Sequence, residues 1–288
     1  KEIDPDLEIG DFMNYDLEFE NMGRNAATIL HSNFEYRLQR FIEENIVSKY
    51  KDKIGKIVSG TVTRVDKQEN TFIEIGEVKG ILQRKSRIKG EVFKVGDVVK
   101  AVVKGVNIDK INGLLIDISR TSPKFLENLL ILEVPELKDK KVNIEASARI
   151  PGTRSKIALS TIDAQIDPIG SVVGVKGVRI GSVSKQLNGE NIDCVEFSTI
   201  PEMFIARALS PALVNSVKIE KHPSYGEKGK AIVTIPSDQK SKAIGKAGLN
   251  IRLASMLTKY DIELVEVASL STSTVNSNEK NISEDKSA

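Results

Sequence analysis

Two Gly-x-x-Gly tetrapeptides, Gly174-Val175-Lys176-Gly177 and Gly245-Lys246-Ala247-Gly248, stand 71 residues apart in this 288-residue chain. Each follows a Val/Ile-rich segment and a short apolar stretch with helical spacing. Each opens a predicted helix (178–187 and 249–258) that leads into a predicted strand (192–197 and 262–267). A lone tetrapeptide of this kind is weak evidence. Two copies with matching flanks form an internal repeat, which obliges the chain to build one supersecondary unit twice.

The order of predicted elements is α-β-β-α-α-β in both copies. The first has a helix at 123–134 begun by Pro123, strands at 142–149 and 156–159, and Asp167-Pro-Ile-Gly170 ahead of its glycine loop. Asn188-Gly189 closes its long helix. The second begins at Pro201 with a helix to Leu209, strands at 217–221 and 231–235, and a short helix at Asp238. This is the order of the prokaryotic-type KH module, whose glycine loop clamps about four nucleotides of a single strand. The chemistry follows from the residue types. Gly174, Gly177, Gly245 and Gly248 permit unusual backbone angles and close approach of a phosphate. Val175 and Ala247 fill the loops beside Lys176 and Lys246, whose charge neutralises phosphate. The helix N-termini behind the loops add free N–H groups. Arg179 and Arg252 follow on those helices as further phosphate contacts, which carry no base information. Base contacts fall to an apolar groove, for which Ile157, Val172, Val178, Val233, Ile244 and Ile251 are candidates, although most of them suit a core better.

Residues 55–121 change period. Alternation runs over 58–65, 71–75, 98–106 and 114–118, with turns at 67–70, 89–90, 96–97 and 112–113. Roughly five short strands without a long helix predict a small closed barrel of the OB type. Such barrels hold single strands with aromatic and basic side chains. Phe72, Phe93, Arg84, Lys85 and Arg120 are the candidates, with core packing an equal alternative for Phe72.

Ahead of the barrel, Ala26, Leu30, Phe34, Leu38, Phe41, Ile42 and Ile46 recur at spacings of three and four, which predicts one long helix from about Asn25 to Tyr50. One apolar stripe on so long a helix implies packing on a further domain or service as a rigid spacer. Charge divides the chain. Residues 1–50 carry 5 basic and 11 acidic side chains, whereas residues 51–270 carry 35 and 26. The basic body suits a polyanion; the acidic head suits a protein partner. Residues 271–288 are rich in Ser, Thr and Asn and read as a disordered tail.

Several classes are disfavoured. No apolar run approaches the roughly 20 residues of a membrane span, so no membrane is expected. No signal-peptide pattern opens the chain. One cysteine and two histidines give neither a metal cluster nor a disulfide framework; Cys194 reads as a small buried hydrophobe, and a reducing cytoplasm fits. Neither glycine loop has the P-loop spacing, and Gly-x-Gly-x-x-Gly and Gly-x-Ser-x-Gly are missing. No catalytic role and no cofactor are expected.

The expected fold is therefore α+β and multidomain. Residues 1–53 form the end of an N-terminal α/β region with its long helix, 54–121 a five-stranded OB-type barrel, 122–199 and 200–270 two tandem KH domains, and 271–288 a tail. The junction 198–201 is too short for a flexible linker, so the KH modules are expected to pack as one unit. Four stretches then resemble the NusA family of transcription factors: Leu132-Glu-Val-Pro-Glu136, Ala148-Arg-Ile-Pro-Gly-Thr-Arg-Ser-Lys-Ile-Ala158, Ile166-Asp-Pro-Ile-Gly-Ser-Val-Val-Gly-Val-Lys-Gly177 and Asn250-Ile-Arg-Leu-Ala-Ser255. The resemblance covers about residues 5–270. It implies a non-catalytic elongation factor that binds RNA polymerase near the RNA exit channel, contacts nascent single-stranded RNA through barrel and KH surfaces, prolongs pausing, aids termination and joins antitermination complexes. Other antitermination factors and ribosomal proteins are the further partners it implies. In the family a globular head precedes the long helix, and this chain is expected to hold only its end. A general RNA-binding protein of ribosome assembly or RNA decay is the alternative, and a scaffold with purely structural glycine loops is a third.

Overall fold

The long apolar stripe becomes helix α1 (Arg24–Lys51), with Lys49 and Lys51 in its last turn, where cations favour the helix dipole. A computed structural model describes residues 23–109 and 113–267 of the chain. The acidic segment 1–22 and the tail at 271–288 lie outside the described residues, as does Asn112 of one expected turn. Among the described residues, only the C-terminal end of α1 is seated. Tyr50 is buried in the barrel core, its hydroxyl donating to the Ile75 carbonyl at 3.2 Å, and Ile46 packs beside it. Leu30, Phe34, Leu38, Phe41 and Ile42 on the same ridge are exposed.

The alternating segments form β1 (Ile57–Val65), β2 (Thr71–Ile75), β3 (Val78–Leu82), β4 (Val98–Asp109) and β5 (Gly113–Ser119). They close in the order β1-β2-β3-β5-β4, with β4 returning to β1. All neighbours are antiparallel except β3 and β5, which is the strand order of an OB barrel. Strand β3 falls outside the four alternations named above. Gly80 interrupts its pattern, and only two residues separate it from β2.

The repeat folds as expected. Helices α2 (Pro123–Glu133) and α3 (Pro135–Lys138) precede β6 (Val142–Ile150) and β7 (Arg154–Thr161), then α4 (Pro168–Val173), the first glycine loop, α5 (Val178–Gln186) and β8 (Asn191–Glu196). The second copy is α6 (Pro201–Ala208), β9 (Ser216–Lys221), β10 (Gly229–Pro236), a 3-10 turn with α7 (Lys240–Ile244), the second glycine loop, α8 (Leu249–Thr258) and β11 (Tyr260–Val267). Both sheets have three strands in equivalent order, one pair antiparallel and one parallel. Ser122 caps α2 by accepting from the Lys124 amide. Asn188 and Gly189 take positive φ at the end of α5, with the Gly189 amide donating to the Ser184 carbonyl.

The modules are fused by burial. Ala148, Ala158 and Val195 on the first KH sheet share one apolar core with Ile205, Ala208, Leu253 and Ala254 of α6 and α8. Lys156, fully buried in β7, crosses that boundary and donates to the Ser210 carbonyl at 2.8 Å. Barrel and first KH module join similarly. Ile88 and Val102 from the barrel enter the core built by Phe125, Leu126, Leu129 and Leu130 of α2.

Candidate nucleic-acid interface

The two glycine loops have one backbone. Gly174 has φ 74° and ψ 171°, Gly245 φ 72° and ψ 174°, a region that only glycine enters at little cost. The third loop residues, Lys176 (φ 52°) and Ala247 (φ 52°), and the closing Gly177 (φ 73°) and Gly248 (φ 70°), are left-handed. Each closing glycine donates to the carbonyl of the opening one, at 3.0 and 3.1 Å. Neither α5 nor α8 has a side-chain N-cap. Their first-turn N–H groups therefore lack a side-chain acceptor and stand behind a loop bounded by two glycines, which is an anion-binding arrangement.

The side chains around the loops divide into two sets. Lys176, Lys246 and Ala247 are exposed, as is Val175 (83 % exposed). Among the described residues neither lysine has a carboxylate partner. Arg252 is likewise exposed on α8 and without an ion pair among the described residues. Arg179 differs: its Nη1 donates to Glu136 Oε2 at 2.9 Å and to the Ser171 carbonyl at 2.6 Å. The Glu136 amide and then the Arg179 guanidinium hold the Glu136 carboxyl below the usual carboxylate range against partial burial. Arg179 thus braces its loop from beneath. Of the groove candidates, Ile157, Val172 and Val233 are wholly core, Ile244 and Ile251 are half-buried, and Val178 is exposed.

On the barrel, Phe72 of β2 is half-buried beneath Arg64 of β1, its cross-strand partner, whose guanidinium lies 4.2 Å from the ring centre. With Thr63, Glu74, Lys79 and Leu115 they line a shallow depression of about 410 Å³. Arg84 and Lys85 lie on one 3-10 turn beside the 66–70 loop, where Arg84 pairs with Glu69 at 3.2 Å and Lys85 is exposed.

Models of a NusA-like first KH domain and a NusA-like second KH domain match residues 120–197 and 201–272. The chain is 45 % identical to the transcription termination/antitermination protein NusA of Helicobacter pylori (strain J99) over 298 positions, covering 97 % of this chain and 75 % of that protein. It is 40 % identical to the protein of that name from Thermus thermophilus, over 92 % of this chain and 67 % of the relative. The Bacillus subtilis protein is 34 % identical over 91 % of this chain and 69 % of its own length. This chain belongs to the NusA family.

Within this NusA-family chain, two of the residues singled out on the barrel serve the seam between domains. Arg120 is buried and donates to both carboxylate oxygens of Glu91, to the Lys100 carbonyl of β4 and to the Gln186 carbonyl of α5. Four of its five N–H donors are engaged by protein in a buried site, so it is not presented to a phosphate. Phe93 packs half-buried on the barrel core with its ring centre 5.8 Å from that guanidinium. A second buried arginine continues the seam: Arg149 pairs with Glu190, both fully buried, and donates to the Arg120 and Ser122 carbonyls. Sequence reasoning missed Arg64, although alternation over 58–65 and 71–75 makes it a candidate neighbour of Phe72. It missed Lys242 of α7, which precedes its loop by three residues and is exposed without an ion pair among the described residues. It also missed Lys156 and Glu136, which carry no local signal. Burial pushes the thiol of half-buried Cys194 up to about 12, with Asp193 adding to the shift. Among the described residues no cluster of His, Cys, Asp and Glu is arranged to hold a metal, and no helix is long and apolar enough to cross a membrane.

Proposed function

We propose that this chain is a non-catalytic, cytoplasmic RNA-binding elongation factor. In this reading it binds RNA polymerase and the nascent single strand, and modulates pausing, termination and antitermination. Other antitermination factors and ribosomal proteins are its further partners. Residues 1–53 serve the polymerase contact, 54–121 and the KH pair at 122–199 and 200–270 the RNA. The observation that carries the RNA part is the repeated loop: two identical backbones, each opening the N-terminus of an uncapped helix, each with an exposed lysine. The interface comprises Gly174, Val175, Lys176 and Gly177, then Gly245, Lys246, Ala247, Gly248 and Arg252, with Phe72, Arg64, Arg84 and Lys85 on the barrel. Arg179 supports the first loop, and Arg120 with Phe93 supports the seam. Family membership supports the transcription part.

The test replaces Val175, Lys176, Lys246 and Ala247 together with Asp. Asp tolerates the left-handed conformation of the third loop position, and all four side chains are exposed, so the melting temperature should stay within a few degrees. Single-stranded RNA affinity should fall by about 100-fold or more, as expected when two loop lysines are lost and four acidic groups are placed beside the phosphate chain. Unchanged RNA binding by a folded quadruple variant would sink the reading. Co-sedimentation with elongation complexes, with and without a protruding transcript, tests the polymerase part. Association strengthened by the transcript is expected, and binding to free transcript alone would favour a general RNA-binding role.

A further inference from the structure

The two loops share a backbone but not a charge. In the unit spanning α7, the second loop and α8, three cations are exposed without an ion pair among the described residues: Lys242 before the loop, Lys246 within it and Arg252 one turn behind. Lys240 in the same unit pairs with Glu266. The equivalent unit of the first module, 71 residues earlier, holds Ser171, Val175 and Gly181 at those three positions. Its one exposed loop cation is Lys176. Arg179 is engaged by Glu136 and the Ser171 carbonyl, and Lys185 stands in the last turn of α5, at the end of the helix away from the loop.

What the first module exposes instead is apolar. Val175 is 83 % and Val178 69 % exposed, two branched hydrocarbons flanking the loop lysine and the closing glycine. At the matching positions the second module has Lys246 and the half-buried Leu249. An aliphatic side chain gains nothing beside a phosphate, which is strongly hydrated and charged. Its favourable contacts on a nucleic acid are with base faces, base methyl groups and sugar carbons. A bare ammonium or guanidinium makes the opposite choice and fixes position without reading sequence.

We propose that the two KH modules divide the work of holding a single strand. The second is the electrostatic anchor, gripping successive phosphates through Lys242, Lys246 and Arg252. The first holds one phosphate through Lys176 and reads bases through Val175 and Val178. This rests on the RNA-binding reading above and adds an asymmetry that the repeat alone does not contain. A strand bound this way would be retained by the second module whatever its sequence and selected by the first.

The test is a salt titration of the whole chain against fluorescent 12-nucleotide single-stranded RNAs of differing sequence, followed by anisotropy. The variants are Lys242→Gln/Lys246→Gln/Arg252→Gln, Lys176→Gln, and Val175→Ser/Val178→Ser, all at exposed positions. Each phosphate contact on a single strand contributes about 0.7 to the slope of log affinity against log salt. The triple variant should therefore lose about 2 from that slope, and Lys176→Gln about 0.7. The valine variant should keep the slope and lose its ranking among the RNA sequences. A slope loss from Lys176→Gln equal to that of the triple variant would overturn the division, as would a sequence preference untouched by the valine changes. Failure of the unaltered chain to bind any of the RNAs would instead remove the RNA-binding reading itself.

Discussion

Arg179 and Asn250 occupy the same place under the two glycine loops, the second residue of the helix behind each. A methyl group at Gly174 would lie 2.8 Å from Arg179 Cγ, and one at Gly245 2.7 Å from Asn250 Cβ. Both side chains donate to equivalent carbonyls, Arg179 to Ser171 and Asn250 to Lys242. The first glycine of each loop is therefore required twice, by its backbone angles and by the side chain that lies against it. The site is a loop pressed onto a polar brace, and the brace differs between copies.

That difference predicts unequal costs. Asn250 is buried, and its amide nitrogen also reaches the Leu209 and Ala243 carbonyls at 3.0 and 3.1 Å. Asn250→Ala strands buried acceptors and should destabilise the chain by about 2–3 kcal/mol. Arg179 is one-third exposed, with Glu136 as its ionic partner, and Arg179→Met should cost about 1 kcal/mol or less. Urea denaturation of both variants reads the difference directly; equal losses would mean that the two braces are equivalent after all.

The buried pair between Arg149 and Glu190 predicts strong coupling. Neither side chain is exposed, Glu190 also accepts from the Gly152 amide, and Arg149 reaches back to the segment joining barrel and KH module. Removing one partner leaves a charge buried alone, so Arg149→Met and Glu190→Gln should each cost about 3–5 kcal/mol. The double variant Arg149→Met/Glu190→Gln should lose less than the sum, which a double-mutant cycle measures. Strict additivity would show that the two groups do not act as a pair.

Much of this architecture was legible because the signals were local. Helix α1, the two α-β-β-α-α-β copies and four of five barrel strands follow from periodicity, and the glycine loops from their spacing. Arg120 shows what was not local. In sequence it is a basic residue at the end of a barrel strand, indistinguishable from a phosphate contact. Its partners Glu91, Lys100 and Gln186 are 29, 20 and 66 residues away, so its role was set by domain packing. Arg179 and Arg252 looked like matched helix cations, yet Arg252 corresponds to Gly181 and Arg179 to Asn250. Counting from the loop glycines reveals this in the sequence; that one arginine is engaged and the other exposed required Glu136 and Ser171 in space.

The Arg64–Phe72 stack makes a prediction for the barrel. A half-buried ring covered by a guanidinium offers a base a platform of the kind that single-strand-binding barrels use, and removal of one such ring costs about 1–3 kcal/mol of binding. Phe72→Ala should weaken single-stranded RNA binding by about 5- to 150-fold, with Phe72→Tyr close to the parent. Arg120→Met should instead lower stability while the folded fraction keeps its affinity. An unaltered affinity for Phe72→Ala, measured with RNA long enough to span barrel and KH pair, would assign Phe72 to the core alone.

Lys156 predicts a pH dependence. Its ammonium is buried where the KH modules meet, bonded to the Ser210 carbonyl and 3.6 Å from Asp193. Loss of hydration pulls its pKa below the ordinary 10.5, with Asp193 opposing. In the folded chain the proton therefore leaves at lower pH than in the unfolded one. Below the depressed value the cost of the buried charge is present in full; as pH rises towards 10.5 that cost diminishes, because the unfolded state then binds more protons. The neutral amine still donates to Ser210. Relative to Lys156→Met, which has no proton to lose and leaves that carbonyl without its donor, the parent chain should gain stability between neutral pH and about 10. Urea denaturation of both at a series of alkaline pH values tests this. A difference that stays flat or falls would mean that Asp193 and Ser210 hold the ammonium in its charged form more strongly than burial opposes it.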